Sequence, residues 1–446
     1  MTEAATAAGA ASRESLEARL GASPGWLADR RNAAWDAFTA MPTPSSARDE
    51  DWRRTDIGRL HLDRFAPAGP AAPGLLELAR NRHASALPGS ALIVSEPDGT
   101  VTVDNAEALL AQGVIVSSLE EAAERHPELV QRGLSGIGID DSYFAALWNA
   151  LWQGGAFVYV PAGVQAMTPV WVSHLAAGAD AAAFPATVVV LDEHASLTLV
   201  EDLVGPGADP AARVSVAVTA LQLGDDARLD DIPIQQLPPA TWHFQLRRAS
   251  CGRSAHYQLL GATLGARLQK SYWDVILDGR GAEADILAVC FADADQHIDH
   301  QSLQLHRGPD TRSNLLLKVA ARGRAQSVYG GLIDVEPGAI HADGYVVNRN
   351  LLLSQGASAS GVPRLEIKAN DVRCGHGTTV GHVDDEERFY LMARGIPADE
   401  AERLVVRGYF ADVLDRLPIE PVRDWLVALL DSEIGDGGPS RFGEAG

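Results

Sequence analysis

Val158-Tyr159-Val160-Pro161-Ala162-Gly163 is where the texture of the chain changes. Three strand-forming residues run into a Pro-Ala-Gly corner, and the pattern of short apolar run and small-residue corner then recurs. Thr187–Leu191 and Leu197–Val200 flank the turn at 192–195. Val214–Leu223 leads into Gly224–Ala227. Trp242–Leu246, Tyr257–Leu260, Ser271–Leu277, Asp285–Ala292, Ser302–Leu305, Ser313–Val319, Ser327–Ile333, Tyr345–Leu353 and Arg364–Lys368 follow. Their connections are Gly/Ala/Asp beads such as Gly281–Ala284, Gly323–Ala325, Pro337–Ala339 and Gly356–Ala357. Short strands in succession, without intervening helices, exclude Rossmann and TIM-barrel architectures. The recurrent corners fit a β-solenoid, in which each coil stacks on the last. A β-sandwich is the alternative.

Helical segments lie outside this region. Residues 12–40 predict helix, with Ser23 as N-cap and Pro24 at the first helical position, and Leu27, Ala34, Trp35 and Phe38 near helical spacing. Asp51–Asp56 carries Trp52 beside Arg53 and Arg54, which reads as an Arg stacked on a structural Trp. Pro67–Pro73 reads as a linker, and Tyr143–Trp152 as a helix. Beyond the solenoid, Asp384–Arg394 forms a helix closed by Gly395. The next runs from Pro397 to about Leu417 with two apolar stripes: Ala401, Leu404, Val405, Gly408 and Ala411, and Val406, Phe410, Val413 and Leu417. Two stripes exceed what one helix needs to cover its own domain, so the second is a candidate partner-binding surface, with burial in a small bundle as the alternative. Pro421–Leu430 adds a third helix. The expected domains are 1–155 (helical and mixed), 156–383 (solenoid), 384–432 (helical) and 433–446 (a disordered tail). Met1–Ala11 reads as a frayed end.

Composition narrows the function. The 446-residue chain carries a net charge of −22, with 46% apolar and 22% charged residues. Phosphate backbones and anionic membrane surfaces attract basic faces, so nucleic acid and membrane partners are disfavoured. No apolar run reaches the ~18–20 residues of a membrane helix, and the N-terminus lacks a signal-peptide pattern. Cys251, Cys290 and Cys374 form no C-x-x-C, which argues for the reducing cytoplasm. The lysines are Lys270, Lys318 and Lys368, and none follows Gly. That excludes a phosphate-binding P-loop, so an ATP-driven step must come from another chain.

Two stretches could carry chemistry. On a strand over 300–306, His300, Ser302, Gln304 and His306 share a face, whereas His297 and His300 point oppositely. A stacked polar ladder is favoured there over a metal face. The second stretch is Val372–Val380. Cys374 and His376 project to the same side, ~7 Å apart, and could together hold a soft metal or a sulfur-bearing cluster. Spacing alone favours a buried Cys and a hydrogen-bonded His, and two ligands do not complete a site. A cluster held here is therefore shared with another chain, or transient. A hydrolase reading lacks G-x-S-x-G. A glycan-cleaving reading rests on Asp230/Asp231, Asp293/Asp295 or Asp384/Asp385, none in an aromatic-rich stretch.

Longer motifs carry a resemblance. His297–His300, His306, Asn348–Ser354, Pro363–Ile367, Asp371–Gly381 and Phe389–Pro397 resemble the SufB/SufD family of the SUF iron–sulfur cluster assembly system, as do Trp52–Thr55 and Ile57–Leu60. Cys374–Val380 is similar to the D-type rather than the B-type subunit. The resemblance implies a right-handed parallel β-helix flanked by N-terminal and C-terminal helical domains. It implies a non-enzymatic scaffold that pairs with a SufB-like subunit and SufC-like ATPases. The ATPases would dock on the terminal helices. A transient iron–sulfur cluster would form at the B–D interface, with His376 as the D-side residue and Cys374 beside it. Such systems are also linked to a reduced flavin, which no residue here locates. A homodimer of the isolated chain stays open, as do a β-solenoid carbohydrate-active enzyme and a purely structural interaction module.

Overall fold

The computed structural model describes residues 9–207 and 209–435. From Ala156 to His382 the chain winds as a flattened parallel β-helix with two strands per coil. One sheet stacks Ala156–Val160, Ala186–Leu191, Arg213–Leu223, Thr241–Cys251, Leu268–Leu277, His297–His306, Gln326–Val335 and Ser358–Ile367 in that order. The facing sheet stacks Val170–Leu175, Ser196–Val204, Arg228–Gln236, His256–Thr263, Glu283–Ala292, Arg312–Ala321, Asp343–Leu352 and Arg373–His382. Register places Trp242 beside Leu268 and Gln326 beside Ser358, so coils take 26 to 32 residues. The variation falls in the corners, which is why no fixed repeat is visible in the sequence.

Three apolar layers hold the fold. The first fills the solenoid, with inward side chains such as Val189, Leu221, Ala249, Val275, Ile286 and Leu317. The second packs the outer face of Val214, Val216, Val218 and Phe244 against the N-terminal helices through Leu147, Trp148 and Leu151. The third packs Ile232, Leu260, Val289 and Phe291 against helix Pro73–Ala86 and the C-terminal helices. A strand covered on both sides loses its polar–apolar alternation. Arg213–Leu223 is almost wholly buried, whereas Asp343–Leu352, with an open outer face, alternates strictly.

Several expectations are corrected. The 12–40 segment is two helices, Arg13–Leu20 and Gly25–Ala40. Ser23 does not cap the second, and its hydroxyl instead accepts a hydrogen bond from Arg31 Nε and donates to Arg19 O. Trp52 is structural, but the cation over its ring is Lys270, at 4.9 Å, while Arg53 and Arg54 point to solvent. Ala10 is buried and donates its N–H to Phe65 O, so only residues 1–8 of the expected frayed end lie outside the described residues. The last helix, Glu420–Gly435, runs past 432 with Ile434 buried, and residues 436–446 of the expected tail lie outside the described residues. The stripe Val406, Phe410, Val413 and Leu417 faces inward. All four residues are buried against the β-helix, so the chain itself covers the surface expected to bind a partner. The helix presents Leu404 to solvent instead, and the preceding helix presents Phe389, Tyr390 and Met392.

The two ends of the solenoid differ. At the N-terminal end, antiparallel Ile115–Ser118 finishes one sheet, and the hairpin Ala91–Ser95 with Val101–Asp104 finishes the other. At the C-terminal end, Ser358–Ile367 and Arg373–His382 each pair on one side only.

Candidate functional site at the open end of the solenoid

Strand Arg373–His382 lies against Asp343–Leu352, with Gly344 beside Cys374, Val346 beside His376 and Asn348 beside Thr378. Val346 and Asn348 are buried inside the solenoid. Parallel register stacks like-facing residues, so Cys374, His376 and Thr378 also point toward the interior. No further coil covers them. Cys374 is half-buried and packs with Val372 on the edge of the inner core. His376 is exposed. The two side chains predicted to share a side therefore do so, at the rim of the last coil. Burial pushes the Cys374 thiol above its usual range and Asp343 adds to this, while a hydrogen bond from the Gly344 backbone opposes them. The balance favours the protonated thiol.

The other cysteines belong elsewhere. Cys251 and Cys290 are buried in the core, and burial pushes both thiols up to about 12. Cys290 stacks through Val319 and Asn350 to Val380, three strands below the rim and so about 14 Å away.

The histidines of 297–306 form the polar ladder. His300, Ser302, Gln304 and His306 are all buried and inward. His300 Nε2 lies 3.1 Å from Thr263 Oγ1, and its ring packs 4.6 Å from Trp273. His306 pairs through Nδ1 with Thr311 Oγ1 at 2.8 Å and through Nε2 with Ser313 Oγ at 2.9 Å. Burial holds both imidazoles down to about 4, so they are neutral linkers. His297 points outward as predicted, and lies 3.0 Å from Thr55 Oγ1. Thr55 also donates to Asp299, which pairs with buried Lys270 at 2.5 Å. Trp52–Thr55 and His297–His300, distant in sequence, are thus one anchor between the N-terminal segment and the β-helix.

The carboxylate pairs of the glycan-cleaving alternative do not converge on a cleft. Asp231 is sealed inside with Arg247 and Tyr257, while Asp230 is on the other side of its strand. Asp293 and Asp295 are tied to Arg322 and Arg324, and Asp384 caps a helix. Among the described residues, Glu193, His194 and Asp226 could together approach a cation, but Arg253 already stands 3.4 Å from Asp226. The described helices include none long and apolar enough to cross a membrane.

Sequence reasoning passed over three features. Arg247 bridges Glu201 and Asp231 inside the solenoid, far apart in sequence, and nothing local marks them. Asn348 and Asn350 stand inside the penultimate coil, where Asn350 Nδ2 donates to Asn348 Oδ1 at 2.7 Å. Two asparagines at a two-residue spacing in a strand were a readable signal. Tyr345 lies beside Gly375, between Cys374 and His376.

The chain is similar to known proteins over most of its length. The family described as "SUF system FeS cluster assembly, SufBD core domain" matches residues 174–409, and "SufBD protein N-terminal region" matches 89–172. The chain is 28% identical over 421 residues to the iron–sulfur cluster assembly protein SufD of Bacillus subtilis, covering 92% of this chain and 94% of that one. It is 31% identical over 335 residues to an iron–sulfur cluster assembly SufBD family protein of Mycobacterium tuberculosis, covering 73% and 83%. A similarly described protein of Mycobacterium leprae is 30% identical over 348 residues, covering 73% and 84%.

Proposed function

The chain belongs to the SufBD family of iron–sulfur cluster assembly proteins, and on that premise we propose that it is the D-type scaffold subunit, whose open coil is half of a cluster-forming interface. The observation that carries this reading is the unfinished end of the solenoid. The last strand of each sheet leaves one edge unpaired, and Ile367 and Val380 are exposed on these two strands. Unpaired strand edges with apolar side chains are templates for another chain. The B-type subunit, itself a β-helix by family resemblance, is the partner that fits.

At that junction His376 offers an exposed imidazole and Cys374 a half-buried thiol. Both are ligand types for iron–sulfur chemistry, and neither completes a site alone. The cluster is cargo, built between the two subunits and passed on, so the role of this chain is to hold ligands in place rather than to turn over a substrate. Its sequence carries no P-loop, so ATP hydrolysis belongs to the ATPase subunits. The exposed side chains of Phe389, Tyr390, Met392 and Leu404 on the C-terminal helices are their docking surface in this reading. No residue of the chain is put forward for a flavin.

The test is reconstitution with the B-type subunit and the ATPase, following cluster absorption. His376→Ala should abolish cluster build-up while the complex still forms by gel filtration. Normal cluster formation by that variant would remove His376 from the site.

A further inference from the structure

Strand Arg373–His382 is weakly determined by its own sequence. Gly375, Gly377 and Gly381 supply no side chain to pack, and a Cβ added at Gly377 or Gly381 would meet nothing within 4 Å. Glycine in a strand interior loosens it, and this strand is bonded on one side only. Yet a ligand must be held to within about 0.5 Å of its productive position.

Two side chains of the preceding coil supply what the strand lacks. On the outer side, Tyr345 is in register with Gly375. A Cβ at Gly375 would lie 2.8 Å from Tyr345 Cε2 and 3.0 Å from Cδ2, so the ring rests directly on the glycine between Cys374 and His376. An aromatic ring over a cross-strand glycine restores the packing that the glycine forfeits. The ring is still 49% exposed, so Gly375 is its close neighbour rather than a core. On the inner side, Asn350 is buried, and its Nδ2 donates to Thr379 O at 3.0 Å. The same amide donates to Asn348 Oδ1, and Asn348 Nδ2 reaches Leu317 O at 3.5 Å, which carries the contact one coil deeper.

We propose that Tyr345 and Asn350 are the positioning residues for His376. The ring pins the backbone at Gly375, just before the imidazole, and the amide pins it at Thr379, three residues after, from opposite faces of the strand. This rests on His376 being a cluster ligand.

The experiment uses the reconstituted complex for cluster absorption and the full chain for amide exchange. Tyr345→Ala should speed exchange of the amides around Gly375 and slow cluster build-up, each by about tenfold. Assembly with the B-type subunit should be unchanged. Tyr345→Phe keeps the ring and should restore the wild-type rate. Asn350→Asp replaces the donor with an acceptor, and should produce the same defect with faster exchange near Thr379. Added to His376→Ala, either change should have no further effect on cluster formation. Full cluster rates in both Tyr345→Ala and Asn350→Asp, with His376→Ala inactive, would overturn the positioning role and leave His376 in place. An inactive Tyr345→Phe, or loss of subunit binding in Tyr345→Ala, would also overturn it, because the hydroxyl or the interface would then be what matters. Normal cluster formation by His376→Ala would instead remove the reading on which the proposal stands.

Discussion

The two ends of the solenoid solve the same problem in opposite ways. Every β-helix has two exposed sheet edges at each end, and unpaired edges invite other strands. At the N-terminal end each sheet finishes in a short antiparallel strand, and Ala106, Leu109 and Val114 between those strands are buried against the inner core. At the C-terminal end the chain leaves both edges bare, although three helices follow directly in sequence. The second and third of those helices pack along the outer face instead. In the proposed reading, the end without such a cover is where the partner subunit pairs. The same contrast separates two inward histidines. His300 is sealed between coils and bonded to Thr263, whereas His376 has the same orientation with no coil above it.

Breaking the closed region should cost most in stability. Arg247→Met strands Glu201 and Asp231 inside the solenoid, where all three are buried. Removing one partner of a buried ion group costs about 3–5 kcal/mol, which denaturant unfolding would register as a lower midpoint. Next come the two histidines. His300→Ala should cost about 2–4 kcal/mol through a cavity beside Trp273 and the lost Thr263 bond. His376→Ala should change stability by less than about 0.5 kcal/mol while abolishing cluster formation. Equal stability losses in the two variants would erase the distinction between sealed and rim positions.

Acid should weaken the sealed interior. His300 and His306 are held down to about 4 by burial, below the unfolded value near 6.5. The unfolded chain therefore takes up protons first as pH falls from 6.5, and stability declines until about pH 4. Unfolding midpoints at pH 7 and pH 4.5 would show it, with a smaller difference in His300→Gln. The smallest effect lies on the corner below the rim. His341 Nδ1 is 2.8 Å from Asp310 and its Nε2 is 3.3 Å from Asp371, so the imidazolium ties three coils together. The hydrogen bond to Asp310 raises its pKa, with Asp371 assisting and Arg280 opposing. Its contribution is full below the unfolded value and fades as pH rises through the raised one. A proton-resonance titration of His341 should have its midpoint above 6.5.

Much of the fold was legible because strands and corners are local. Val158–Gly163 and its successors announce a solenoid, and alternation in 372–376 placed Cys374 and His376 on one side. What stayed hidden depends on coverage by distant segments. The stripe Val406, Phe410, Val413 and Leu417 was readable as apolar, but its occupant, the outer face around Val289 and Phe291, is more than one hundred residues upstream. Strand Arg228–Gln236 escaped notice because Asp230, Asp231 and Pro233 interrupt its apolar pattern, and Asp231 is tolerated there only through Arg247. The contact of Thr55 with His297 and Asp299 spans most of the solenoid's length in sequence. That a cluster at Cys374 and His376 would need ligands from elsewhere was readable, because two are too few. Its supports, Tyr345 and Asn350, act through register, and register is a property of the stacked coils.

The burial of Cys251 and Cys290 has a practical consequence at the bench. With both thiols locked in the core, the native chain should behave toward maleimides and alkylating reagents as a single-cysteine protein, with Cys374 as its one addressable sulfur. A fluorophore or spin label attached there would sit at the rim of the last coil, the proposed subunit junction, without any engineering of the sequence. If the proposed pairing holds, its quenching or immobilisation on mixing with the B-type subunit would time that step directly.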